Sequence, residues 1–270
     1  MAKKISVQFP RGEHPGHEFD EIELTDSQYK ALGIDSLMLL PDGSPACGAF
    51  ACAYDTKDAD WVVKLTSDDD DADGLQRAKG SEFAVPTKGV FELKGIRDPV
   101  YQTPVYGVVV ERVTPIVGKE SLLINEVLYD GRGTGLTKSG LFSGYKDGQK
   151  FVVEQRVRDM IEPKCRSLVQ TMRARKDPRF VSEDGETEAC RLLINETVDA
   201  VEDLANRGVQ FIDNHAGNWG RRKNGRLVAI DLGLSSPPWG KQRAQIQRLA
   251  GYRHPVRGEF LRKPWPKWRR

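Results

Sequence analysis

The chain lacks any apolar run near the roughly 20 residues that a membrane-spanning helix needs. The opening MAKKISVQFPRGEHPGHEFDE is not expected to be an export signal, because it turns polar after one short strand-like run. Its four cysteines, Cys47, Cys52, Cys165 and Cys190, form no CxxC pair. In a chain read as cytoplasmic they are expected to be reduced thiols, mostly in the core. Internal repeats and long low-complexity linkers are missing too, which leaves one large domain or two lobes. What the chain does have is enough apolar residues, 39% of 270, to build a real core under a surface that is rich in charge.

The net charge of +2 hides an asymmetry. Residues 241–270 carry ten Lys or Arg against one acid, Glu259, whereas the preceding 240 residues hold 31 basic and 38 acidic side chains. A mildly acidic body therefore continues into a basic tail, which holds Trp265 and Trp268. Cations and indoles together suit nucleic acid through phosphates and stacking. Docking of the tail on its own acidic body is the favoured reading.

Residues 1–35 read as a small β-rich opening, with KISVQF and HEFDEIEL alternating before a polar turn, TDSQ. SLMLL (36–40), AFACAYD (49–55) and WVVKLT (61–66) follow as an antiparallel meander, and the loop PDGSPACG joins its first two strands. DDDDADGLQRAKGSEF (68–83) reads as an acidic loop leading into a short helix. Calcium is rejected there because position twelve of an EF-hand loop falls on Gly80 rather than Glu. YGVVVERV (106–113) is a further strand, after which the pattern turns helical: 120–130, then 149–175 with a break expected at Pro163, then 186–208 closed by Gly208. GTGLTKS (133–139) is not a phosphate loop, since Thr137 stands where glycine should precede the lysine. HPGH (14–17) reads as a surface turn.

The chemistry concentrates in FIDNHAGNWGRRKNGRLVAIDLG, residues 211–233. Asn224-Gly225 predicts a hairpin turn, and a hairpin brings its ends together. Asp213, Asn218 and Asp231 can then converge, and hard carboxylate and carboxamide oxygens suit Mg²⁺. Lys64, alone in an apolar strand, needs an anionic partner. Glu82, eighteen residues on, is the candidate, with Glu92 as competitor. His215 reads as orienting the loop or as solvated, not as catalytic.

Taken in order, the loop-bearing hairpin, strand lysine, helix glutamate, linking strand, D-x-x-x-x-N, hairpin and D-x-G resemble the protein kinase-like superfamily over roughly residues 36–236. WVVKL resembles its V-A-I-K strand, VVVERV its inter-lobe segment and IDLG its D-F-G turn. The resemblance implies an α+β, two-lobed kinase-like fold, with a β-rich N-lobe (1–110) and a short, mostly helical C-lobe (111–270). It implies ATP and Mg²⁺ as cofactors and a hydroxyl acceptor, protein or small molecule. Asp213 would be the base, Lys64 the contact to the nucleotide phosphates, and Glu82 the side chain that holds Lys64. Gly43, Ser44 and Gly48 would line the nucleotide loop, and the backbone at Glu111 would meet adenine. Asn218 and Asp231 would hold the metal.

Three functions remain open at this point. An atypical Ser/Thr protein kinase is the first. DNHAGN resembles the D-x-H-x-G-N of aminoglycoside and choline phosphotransferases and of the ubiquinone-biosynthesis kinase-like family, and favours a small-molecule phosphotransferase. The absence of His-Arg before Asp213, and glycines that do not follow G-x-G-x-x-G, favour a nucleotide-binding pseudokinase.

Overall fold

The computed structural model describes residues 4–10, 19–40 and 43–233, apart from 49, 100–101, 130–134, 137–139, 143–144, 146–148, 210 and 212. The basic tail with Trp265 and Trp268, the HPGH turn and most of GTGLTKS lie outside the described residues. The protein is of the α+β class. Its chain divides into two compact units, one formed by Met1–Lys79 and Pro86–Arg112, the other by Gly80–Val85 and Val113–Ser236. Residues 80–85, which the sequence groups with the β-rich part, thus belong to the helical unit.

In the first unit, β1 (Lys4–Pro10) and β2 (Phe19–Thr25) form an antiparallel hairpin. TDSQ does more than turn the chain. Thr25 caps helix α1 (Asp26–Leu32) in a reciprocal box with Gln28, and Gly33 ends the helix at φ +69°. β3 (Ile34–Leu37), β4 (Ala51–Thr56) and β5 (Trp61–Thr66) then make the expected meander. The sheet continues through β7 (Pro104–Glu111) to β6 (Thr87–Arg97), in the order β3-β4-β5-β7-β6. Cys52, Tyr54, Val63 and Leu65 face a core shared with Phe9, Leu24 and Ile34. Across the pleat, Lys64 lies between Ala53 and Val108. Helix α2 (Asp69–Arg77) packs on this sheet.

The second unit is mostly helical. Helix α3 (Gly118–Leu123) runs directly into a π-helical turn, Ile124–Tyr129. α4 (Gln155–Asp159) and α5 (Ile161–Ala174) are separated at Met160. The break expected at Pro163 does not occur, because that residue sits in the first turn of α5, where no intrahelical donor is lost. α6 (Glu183–Asn206) buries Leu193, Ile194, Val198, Val201 and Leu204 along one face. A small sheet in the order β10-β9-β8 (Leu227–Ala229, Trp219–Arg221, Thr114–Pro115) completes the unit.

The four cysteines are paired rather than reduced: Cys47 with Cys52, and Cys165 of α5 with Cys190 of α6. This overturns the expectation of free thiols. Spacing in sequence concealed both pairs, since adjacent strands or helices bring the sulfurs together without any CxxC motif. Among the described residues, no helix is long and apolar enough to cross a membrane.

Candidate active site

Helix α6 ends at Gly208, whose φ of +77° turns the chain towards Phe211. Phe211 and Trp219, both fully buried, pack ring on ring with centroids 5.1 Å apart. The indole N–H donates to Asn214 O at 3.2 Å, so the loop from 213 to 218 is closed over an aromatic anchor. Residues 216–218 form one 3₁₀ turn capped by His215, whose Nδ1 accepts from Gly217 N at 3.0 Å. A Cβ at Gly217 would lie 2.9 Å from His215 Cε1, so a larger residue there would displace the imidazole. β9 and β10 then form the hairpin around Gly225 at φ +83°, pairing Trp219 with Ala229. Ile230 N donates to Asn218 O at 2.9 Å, which ties the loop to the segment entering Asp231.

The hairpin therefore gathers Asp213, Asn218 and Asp231. Asn218 Nδ2 donates to Asp213 O at 2.6 Å, leaving its carboxamide oxygen as an acceptor. Asp231 Oδ1 accepts from Gly233 N at 3.1 Å. Burial pushes the Asp213 carboxyl above the ordinary aspartate range. The imidazole of His215 works against that shift, the negative charge of Asp231 adds to it, and the Asn218 hydrogen bond opposes it. His215 Nε2 lies 3.7 Å from Asp213 Oδ2. Since Nδ1 is the acceptor for Gly217, the neutral imidazole carries its proton on Nε2, the side that faces Asp213.

Within the first unit Lys64 has an anionic partner other than the expected Glu82. Lys64 Nζ pairs with Asp71 Oδ2 at 2.8 Å, with the carboxylate side chain 1% exposed and the lysine 13%. Glu82 belongs to the helical unit and forms an ion pair with Arg226. The error came from reading 68–73 as a solvated loop. Those residues begin α2, whose cap is Asp68, accepting from Asp70 N and Asp71 N. Ala72, Leu75 and Ala78 are buried at helical spacing, and that pattern places Asp71 on the inner side. Glu92, the other candidate, is exposed on β6.

The expected nucleotide loop is a tight turn. Gly43, at φ +82°, donates to Leu40 O at 2.9 Å, while Ser44 O accepts from Leu40 N at 2.8 Å. Gly48 N donates to Ala51 O at 2.8 Å, and the Cys47–Cys52 disulfide spans the same corner. Glu111 N already donates to Pro86 O, and Arg112 N to Asp60 O, each at 2.8 Å. The backbone N–H groups of Gly43, Gly48, Glu111 and Arg112 are thus engaged within the protein.

Among the described residues, no group of three or more His, Cys, Asp or Glu side chains gathers as a metal cage. Mg²⁺ does not require one, since it is commonly held by one or two carboxylates together with phosphate and water. The Asn218 oxygen and the Asp231 carboxylate fit that donor set. The repulsion between Asp213 and Asp231 is the field that a cation would relieve.

Sequence reasoning missed Asp71, Asn125 and Tyr129. Asn125 Oδ1 accepts from Ala216 N at 2.8 Å, and Tyr129 meets His215 edge to face with centroids 5.7 Å apart. About 90 residues separate these partners, so no local signal marks them. No protein-family model matches the chain, and no curated protein matches it.

Proposed function

We propose that this protein is an ATP- and Mg²⁺-dependent phosphotransferase of two-lobed, protein kinase-like fold, which transfers the γ-phosphoryl group to a hydroxyl acceptor, either Ser or Thr of a protein or a small alcohol. The observation that carries the reading is the convergence of Asp213, Asn218 and Asp231 on one hairpin, with Asp213 poised above the ordinary carboxylate range. A base is most effective when its pKa approaches the working pH. Asp213 accepts the proton of the acceptor hydroxyl as that oxygen forms its bond to phosphorus and the bond to the ADP oxygen breaks. Asn218 and Asp231 would hold the metal, which would supply positive charge to offset that of the transferring phosphoryl group. Lys64, oriented by Asp71, supplies a cation for the nucleotide phosphates. His215 keeps a donor facing Asp213 and offsets the nearby charge of Asp231.

A pseudokinase is the second reading, favoured by the internally bonded amides of Gly43, Gly48 and Glu111. Incubation with γ-labelled ATP and Mg²⁺, with and without cell extract, separates the two. Label that moves to a protein or small molecule, and ceases to move in Asp213→Ala, supports transfer. ATP binding without any transfer in extract supports the pseudokinase.

A further inference from the structure

We propose that the π-helical turn Ile124–Tyr129 is a positioning element for the loop 213–218, with Asn125 fixing the loop backbone and the Tyr129 ring holding His215 against Asp213. The inference rests on the phosphotransferase reading and adds two residues to it.

The turn is built to be rigid on one side and to point at the loop from the other. Ile124, Val127 and Leu128 are buried, and Val127 O accepts from Leu136 N at 3.0 Å. Gly135 passes so near that a Cβ there would lie 2.7 Å from the Tyr129 carbonyl and 2.8 Å from Leu128 O. The returning chain thus braces the end of the turn. Asn125 and Tyr129, four residues apart, share the opposite face. Extra residues of this kind inside helices recur at functional sites, where they re-aim side chains.

Each of the two makes one contact to the loop. The Asn125 carboxamide oxygen accepts from Ala216 N at 2.8 Å, at the start of the 3₁₀ turn that carries Asn218. The Tyr129 ring stands nearly perpendicular to His215, at 78°. The His215 side chain is 39% exposed, so without that ring the imidazole could swing towards solvent. Gly217 N and Tyr129 then fix it from two directions, one through Nδ1 and one through the ring. The same phenol lies close enough to Asp213 that the carboxylate, after burial, pushes its ionisation up. Tyr129, His215 and Asp213 therefore form one contiguous group.

The test uses the full-length chain and ATP hydrolysis, with water as acceptor, so it does not depend on knowing the natural acceptor. Tyr129→Leu should lower kcat by up to about 10²-fold, the scale of a small misplacement, with KM for ATP unchanged. Tyr129→Phe keeps the ring and should recover the lost rate. Asn125→Ala should also lower kcat, and Asn125→Asp, which retains an acceptor oxygen, should recover it. Proton NMR of the ATP-free protein gives a second readout. The His215 ring protons, assigned through His215→Gln, should shift in Tyr129→Leu as the ring current is lost and stay in place in Tyr129→Phe. Wild-type kcat in Tyr129→Leu, or an unmoved His215 resonance, would overturn the proposal. A wild-type protein that neither hydrolyses ATP nor transfers its label in cell extract overturns the phosphotransferase reading instead, and the spectra still decide whether Tyr129 holds His215.

Discussion

The Lys64–Asp71 pair lends itself to a quantitative test. The pair sits at 2.8 Å with the carboxylate buried and the ammonium nearly so. Truncation by Asp71→Ala removes the buried carboxylate that lies 2.8 Å from the Lys64 ammonium. Removing one member of such a pair costs about 3–5 kcal/mol, most of it the uncompensated charge. At about 2–4 °C per kcal/mol for a domain of this size, thermal melting should fall by roughly 10 °C. Replacing both members by apolar residues of similar volume, Lys64→Met with Asp71→Leu, should recover most of that loss, because no buried charge is left alone. The double variant should nevertheless lose ATP affinity, which separates the stabilising role from the functional one. Glu82→Ala is the control. Glu82 is exposed and pairs with Arg226, so its loss should change neither melting nor ATP binding appreciably. If Asp71→Ala melts with the wild type while Glu82→Ala impairs nucleotide binding, the assignment of Asp71 as the partner of Lys64 is wrong.

Two further outcomes follow from the site and the disulfides. Asp213 has its pKa raised on folding, so its ionisation disfavours the native state: its contribution is fully present below the ordinary aspartate value and is lost as pH rises through the raised one. Asp213→Asn should therefore raise the melting temperature at pH 7 in metal-free buffer, and the gain should vanish at acid pH; a constant difference across pH would refute the electrostatic account. The Cys165–Cys190 bond closes a loop of 25 residues between α5 and α6, so Cys165→Ser with Cys190→Ser should cost about 3 kcal/mol by denaturant titration. A non-reducing peptide map that finds four free thiols in the native protein would contradict both disulfides.

How much of this was legible in the sequence depended on how local the determining interaction is. β5 and β7 are apolar strands whose composition marks them, and Asn224-Gly225 names its own turn. The strand β6 was missed because it is half exposed, contains Gly89 and Gly95, and slips register twice against β7. Its alternation is therefore broken. The acidic run 68–73 was misread because charge suggested solvent, whereas Asp68 caps a helix and Asp71 turns inward. Within the candidate site, Asp213, Asn218 and Asp231 share one hairpin, and their convergence could be read from spacing alone. Asn125 and Tyr129 reach the same loop from a helix some 90 residues earlier, and their contacts depend on a π turn that no propensity encodes. The cysteine pairs are non-local in the same sense for 165 and 190, while 47 and 52 meet across a strand corner.

The central claim is that the carboxamide of Asn218 and the carboxylates of Asp213 and Asp231 serve phosphoryl transfer, with Asp213 acting on the acceptor rather than on the nucleotide. The most direct measurement compares wild type and Asp213→Ala for ATP affinity, by calorimetry with Mg²⁺, and for the rate of γ-phosphoryl loss under single-turnover conditions. The account predicts unchanged affinity and a rate lower by about 10² or more, the scale of a lost general base. Equal rates in the two proteins, or a wild type that binds no ATP at millimolar nucleotide and Mg²⁺, would contradict it.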